Sequence, residues 1–108
     1  MNPERHIKGW GFEDWIVNNE LYCGKILHFD KGKKCSLHYH KLKDETFYIL
    51  KGKIKLKLND KEIVLKKGET IRLIPKTNHQ IIALENTDII EISTHHFESD
   101  SYRIEKGD

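Results

Sequence analysis

This sequence has little that points toward a membrane, an export route or a nucleic acid. No window is apolar enough to cross a bilayer, and the opening MNPERHIKGWG lacks the apolar core of a signal peptide, so a cytoplasmic location is expected. Cysteine is scarce. Cys23 and Cys35 make neither a disulfide framework nor a CxxC pair, and they read as buried free thiols of a reducing compartment. A dominant charge is also missing: 19 lysines and arginines face 17 acids, for a net charge of +2. The lysines fall singly or in pairs rather than in a block, which argues against nucleic-acid binding. No long helical period, linker, repeat or low-complexity segment interrupts the 108 residues. One domain over residues 1–108 is expected, with 1–19 as an N-terminal segment packing on the body or on a partner subunit.

What the sequence does have is alternation. In KIKLKL (Lys53–Leu58) the apolar side chains fall on one face and the lysines on the other, and Asn59-Asp60-Lys61 then turns the chain into EIVLKKG. Further short β-rich runs are LYCGKILHF, CSLHYH, ETFYIL, ETIRLIP, HQIIALE and DIIEIST, punctuated by glycine, proline, asparagine or aspartate. Seven to nine short strands at even spacing predict a closed or double-sheet all-β architecture. Only the tail ESDSYRIEKGD has room for a turn of helix.

One short region carries chemistry. On a strand, His38 and His40 share a face, and Glu45 opens the next strand after the turn KLKD. His79 begins another strand after Pro75. Three neutral nitrogen donors and a carboxylate suit one divalent transition metal (zinc, manganese, iron, nickel or cobalt) rather than calcium. Gly32, His38, His40, Glu45 and Gly52 fit G-x(5)-H-x-H-x(4)-E-x(6)-G, which resembles the first signature of the cupin family. The resemblance implies a cupin double-stranded β-helix, a jelly-roll barrel. The second cupin signature is matched by Gly68, Pro75, His79 and Asn86. Its Pro-x-Gly-x-x-His turn is one residue shorter here and lacks the glycine, which leaves Asn78 as the residue able to take a positive φ before His79.

The segment from Lys8 to His40 resembles, more narrowly, the cupin domain of type II phosphomannose isomerases. Lys8, Trp10, Gly11, Glu13, Lys25, Ser36 and Leu37 match position by position, and the tail matches at Arg103. This resemblance implies a metal at the barrel mouth, a sugar or sugar-phosphate ligand, and Lys25 and Arg103 as substrate-binding cations. Lys25 shares a strand face with Cys23 and Leu27, and if that face is the inner one its ammonium needs an anion. Phe47, Ile49, Ile81 and Ala83 are expected to line the cavity. Trp10 and Trp15 are expected in packing or a dimer contact, and the adjacent His95 and His96 at the surface. The direction of Glu91 cannot be read, and no residue stands out as a proton-transfer base. HIKGWGFEDWIV has no evident hairpin partner and is expected to cross to a second subunit of a homodimer. A metal-dependent dioxygenase and a non-catalytic metal- or sugar-binding module stand as alternatives to the isomerase-like reading.

Overall fold

The computed structural model describes all 108 residues, as eleven antiparallel strands and one short 3-10 turn. β1 (Glu4–Lys8), β2 (Gly11–Asn18), β3 (Cys23–Phe29), β10 (Thr87–Ser93), β5 (Glu45–Lys51) and β8 (Thr70–Leu73) form a six-stranded sheet in that order. β11 (Tyr102–Glu105), β4 (Leu37–Tyr39), β9 (His79–Ala83), β6 (Lys53–Leu58) and β7 (Lys61–Lys66) form a five-stranded sheet. Sequence neighbours such as β5 and β6 lie in different sheets, so the chain winds between two layers as a jelly roll does.

Alternation explains which side chains meet between the layers. Cys23, Lys25, Leu27 and Phe29 of β3 are buried, as are Glu45, Phe47 and Ile49 of β5 and Ile54 and Leu56 of β6. The core joins Phe29, Phe47, Ile49, Ile54, Leu56, Ile81 and Ile89 across both sheets. Each such side chain contributes about 1.5–3 kcal/mol on burial. The polar members of the same inward rows, Lys25, Glu45, His79 and Glu91, gather at one end of this core and make the site.

The framing glycines serve geometry. Gly52 lies between β5 and β6, where the chain changes sheets, with φ +93 and no space for a Cβ: one would sit 2.5 Å from the Asn86 carbonyl oxygen. Gly32 also has a left-handed φ of +83, but its surroundings are open. Both cysteines are buried free thiols, and Cys35 Sγ accepts the Ile81 amide at 3.2 Å.

Two expectations are corrected. There are eleven strands rather than seven to nine, because the N-terminal segment and the tail add strands of their own. HIKGWGFEDWIV does have a hairpin partner: β1 pairs with β2, and β2 pairs with β3, within the same chain. Ile7 faces Phe12 across the hairpin and Arg5 faces Asp14, pairings that were hidden because the turn at Gly9-Trp10 carries no asparagine or proline signal. No helix is long and apolar enough to cross a membrane.

Candidate metal centre

His38 lies on β4, His40 directly follows it, and His79 opens β9. β4 and β9 pair with His38 directly opposite His79, so three imidazoles converge from two adjacent strands. Their ring centroids are 4.4, 5.0 and 5.5 Å apart, and one nitrogen of each lies within 4.8 Å of the others.

The main chain orients every ring. Nδ1 of His38 donates to the Ser36 carbonyl, Nδ1 of His40 to the Asp100 carbonyl, and Nδ1 of His79 to the Thr77 carbonyl, each at 2.9 Å. A ring that donates from Nδ1 keeps a lone pair on Nε2, the form a metal ligand needs. Burial is the main reason the three rings stay neutral, holding each down to about 4. His79 adds its repulsion at His38, and Lys43 does so at His40.

Glu45 reaches the cluster from the facing sheet. Its Oε2 lies 3.4 Å from Nε2 of His40 and its Oε1 4.0 Å from Nε2 of His79. Oε2 is buried without a hydrogen-bond partner. Burial, then the charge of Glu91, pushes this carboxyl up to about 8. Three Nε2 lone pairs and an unsatisfied buried carboxylate oxygen match the donor set of a divalent transition ion, so the residues fit such a group.

The shortened turn before His79 works differently from expectation. The positive φ, +69, falls at Lys76 and not at Asn78. Such a conformation costs a non-glycine residue about 1–2 kcal/mol. It is held because the Lys76 amide donates to the His40 carbonyl at 2.6 Å, which ties one histidine's turn to another's. Asn78 is braced instead by the β6–β7 hairpin: the Asn59 amide donates to its carbonyl at 2.8 Å, and the Asn59 Oδ1 accepts its amide at 3.1 Å.

The imidazoles open on a cavity of about 290 Å³. Lys25 is inward and 2% exposed, and the anion it requires comes from within the chain: Glu13 Oε1 at 3.4 Å. Its ammonium also sits 4.3 Å over the Trp15 ring, whose Nε1 donates to the same Glu13 oxygen. Arg103 pairs opposite His38 on β11 and lines the cavity while remaining exposed. Trp10 is a core residue stacked on Phe29 at 4.0 Å. Phe47 and Ile81 line the cavity, whereas Ile49 and Ala83 pack in the core beyond it.

Lys43, from the turn KLKD, escaped the sequence reading, the direction of Glu91 could not be read from it, and His96 was expected at the surface. Lys43 is buried, with its ammonium 3.2 Å from Glu91 Oε2, 3.7 Å from Glu45 Oε2 and 3.0 Å from Nδ1 of His96, to which it donates. Burial opposes its charge, but Glu91 and Glu45 prevail and raise it. Burial likewise works to raise Glu91, and Lys43 and Lys25 hold it low. His96 is not the surface residue expected. It is half-buried on the cavity wall, and burial, then Lys43, lowers it to about 3. His95 lies outside the cavity lining, with Nδ1 donating to the Asn19 carbonyl. Asp100 also gave no signal. From the 3-10 turn Glu98–Asp100 its carboxylate accepts the amides of Lys41, Leu42 and Lys43, shaping the loop that delivers Lys43 and Glu45.

Two packed antiparallel sheets with a histidine cluster at one end define a small barrel with a metal-type centre. The chain belongs to the cupin family: the Cupin domain model matches residues 25–95. The Methanocaldococcus jannaschii "Uncharacterized protein MJ1618" is 38% identical over 58 residues, which are 54% of this chain and 46% of that one. The matched stretch thus spans less than half of that relative. KdgF from Halomonas sp. superimposes with a TM-score of 0.81 at 17% identity, covering 89% of each chain. An RmlC-like cupin from Shewanella frigidimarina gives 0.81 at 19% identity, covering 90% of this chain and 87% of that one. Oxalate decarboxylase from Bacillus subtilis gives 0.80 at 16% identity, with 94% of this chain on 30% of that one. At these identities the likeness is one of fold.

Proposed function

We propose that this cupin holds one divalent transition metal on His38, His40, His79 and Glu45, and acts on a small sugar or sugar phosphate in the manner of an aldose–ketose isomerase. The observation that carries the metal reading is the set of three Nδ1–H groups, each tied to a backbone carbonyl, which leaves three Nε2 lone pairs converging beside an unsatisfied carboxylate oxygen. A cavity of about 290 Å³ suits a ligand of monosaccharide size better than a polymer.

Isomerisation moves a proton between adjacent carbons, and a bound metal polarises the oxygens on those carbons. The chain's own residues supply the rest. Glu91 on the cavity wall, held charged by Lys43, is placed to accept a proton, and His96 extends the hydrogen-bonded set. Five cations line the cavity (Lys8, Lys25, Lys43, Arg103, Lys106) against five acids (Glu13, Glu45, Glu91, Glu98, Asp108). With neutral imidazoles and Glu45 ionised as a ligand these side chains balance, so a divalent ion tips the lining positive and favours an anionic ligand. Arg103 at the mouth and Lys25 on the wall are the proposed contacts for that anion.

The test is metal analysis of the purified protein, followed by a panel of phosphorylated and free sugars assayed for isomer formation. Turnover of a sugar phosphate supports the proposal. Equal affinity for phosphorylated and unphosphorylated sugars removes the anion contacts. Iron with oxygen uptake replaces the isomerase with a dioxygenase, and binding without turnover replaces it with a carbohydrate-binding module.

A further inference from the structure

Four imidazoles line the cavity, and the fourth, His96, engages its nitrogens the opposite way from the three of the metal centre. His38, His40 and His79 each donate from Nδ1 to a backbone carbonyl, which leaves the lone pair on Nε2. At His96 the partner of Nδ1 is the Lys43 ammonium, 3.0 Å away. An ammonium has three donors and no acceptor, so Nδ1 must accept and the ring proton must sit on Nε2. Glu91 at 3.2 Å and Glu45 at 3.7 Å hold Lys43 in that role. The ring stays neutral because burial, then Lys43, opposes a second proton.

That Nε2–H has no acceptor within the chain. Glu98 Oε1 lies 3.9 Å from it, beyond hydrogen-bond length. The nitrogen is not sealed in protein either, and stands on the cavity wall open to an occupant. Meanwhile the ring itself is firmly placed. The Asn18 side chain clamps the His96 main chain from both sides, its Nδ2 donating to the carbonyl at 3.0 Å and its Oδ1 accepting the amide at 2.9 Å. Trp15 packs edge-on against the imidazole, with ring centroids 5.2 Å apart. A cation hydrogen-bonded to one nitrogen draws electron density from the ring and strengthens the other N–H as a donor. Three short contacts lead from His96 through Lys43 and Glu45 to Nε2 of His40, so one small ligand can touch both the metal centre and His96.

We infer that His96 is a ligand-binding residue whose Nε2–H, fixed by Lys43 at the other nitrogen, donates to a hydroxyl or carbonyl oxygen of the molecule held in the cavity. Because the donor is neutral, it recognises that oxygen whatever the ligand's charge, unlike Lys25 and Arg103. That the ligand is a sugar rests on the function proposed above; the position of the proton does not.

The experiment reads the ring nitrogens first. In isotope-labelled full chain at neutral pH, long-range proton–nitrogen correlation is recorded before and after zinc is added. His96 should be protonated on Nε2 with Nδ1 as acceptor, the reverse of His38, His40 and His79. A proton on Nδ1 of His96, or on both nitrogens, overturns the inference. The second readout separates a donor from a filler of space. His96→Gln brings an amide nitrogen near the Nε2 position, whereas His96→Asn reaches only as far as Nδ1 and can answer Lys43 without donating to the cavity. In zinc-loaded protein, with glucose phosphate and fructose phosphate as probes, His96→Asn should weaken binding about fivefold to tenfold, the worth of one hydrogen bond. His96→Gln should stay within about twofold of the unmodified protein. Equal affinity in all three proteins, or an equal loss in both variants, overturns the donor role. If zinc binds and neither sugar phosphate does, the sugar reading fails and the ring nitrogens alone decide the inference. They decide it also if both variants fail to fold.

Discussion

The imidazole cluster and the charged wall beside it occupy the same cavity, yet they solve the burial of polar groups in opposite ways. His38, His40 and His79 are neutral, and each is satisfied by a backbone carbonyl that is fixed by the fold itself. Lys25, Lys43, Glu13 and Glu91 are satisfied mainly by one another. A neutral ring tied to the main chain can lose its neighbours and stay where it is. A buried ion stripped of its counter-ion cannot, because desolvation is then uncompensated. Each ring of the cluster thus has a main-chain acceptor of its own, and the wall is a set of mutual dependencies.

The sharpest break of that comparison is Lys43→Met, which leaves Glu91 and Glu45 buried beside each other without their nearest cation. A loss of about 3–5 kcal/mol in folding stability is expected, read by denaturant titration. Lys43→Met combined with Glu91→Gln should recover much of it. If the double variant is no better than the single one, the wall is not a mutual network. Next in size is His40→Ala. Removing a ligand should cost metal affinity more than the ~10–100-fold typical of losing a supporting hydrogen bond. It should also abolish the thermal stabilisation that the ion confers. Unchanged metal content in that variant rejects the centre, and retention by His79→Ala alone reduces the protein ligands to three.

Acid should separate the two regions further. The folded-state pKa is about 4 for His38, His40 and His79 and about 3 for His96, below the ordinary 6.5, so the unfolded chain binds more protons. Their contribution is whole above pH 6.5 and is lost as pH falls toward 4. Glu45, raised to about 8 from 4.5, runs the other way: its contribution is whole below 4.5 and is lost as pH rises through 8. Four imidazoles outweigh one carboxyl, so chelator-treated protein should lose stability as pH falls from neutral into this window. A flat urea-midpoint profile there would contradict the neutral-ring assignment. The smallest effect belongs to Ser36→Ala. Its hydroxyl lies 3.1 Å from Nδ1 of His38, but the Ser36 carbonyl remains at 2.9 Å, so metal affinity should change by less than about 1 kcal/mol.

The same contrast decides what could be read from the sequence. His38, His40 and Glu45 lie within eight residues on period-2 strands, so alternation and spacing were enough to group them. His79 needed the family's second motif, because only the β4–β9 register brings it opposite His38. The wall has no local pattern. Lys43 lay in what read as a solvated turn, and nothing near it reveals that Asp100, 57 residues on, would curl that loop inward. Glu91 sits in the run IIEIS, where isoleucines on both faces erase the polar–apolar alternation that normally tells inside from outside. His95 and His96 were judged by adjacency alone, which holds on a strand, but they lie past the end of β10 in a loop that carries His96 over the cavity.

The brace between Asn59 and Asn78 bears on engineering. The tip of the β6–β7 hairpin reads as a two-residue surface turn, the usual place to graft a tag, insert a peptide or open new termini. Here that tip clasps the residue before His79 through two hydrogen bonds, one donated by the Asn59 amide and one accepted by its side-chain Oδ1. An insertion at Asn59-Asp60 would loosen the approach to His79 while leaving the rest of the barrel intact, and a graft there would be misread as a poisoned metal site. The corner at Gly32, where nothing stands within 4 Å of an added Cβ, is the more forgiving address for cargo, provided the glycine itself is kept.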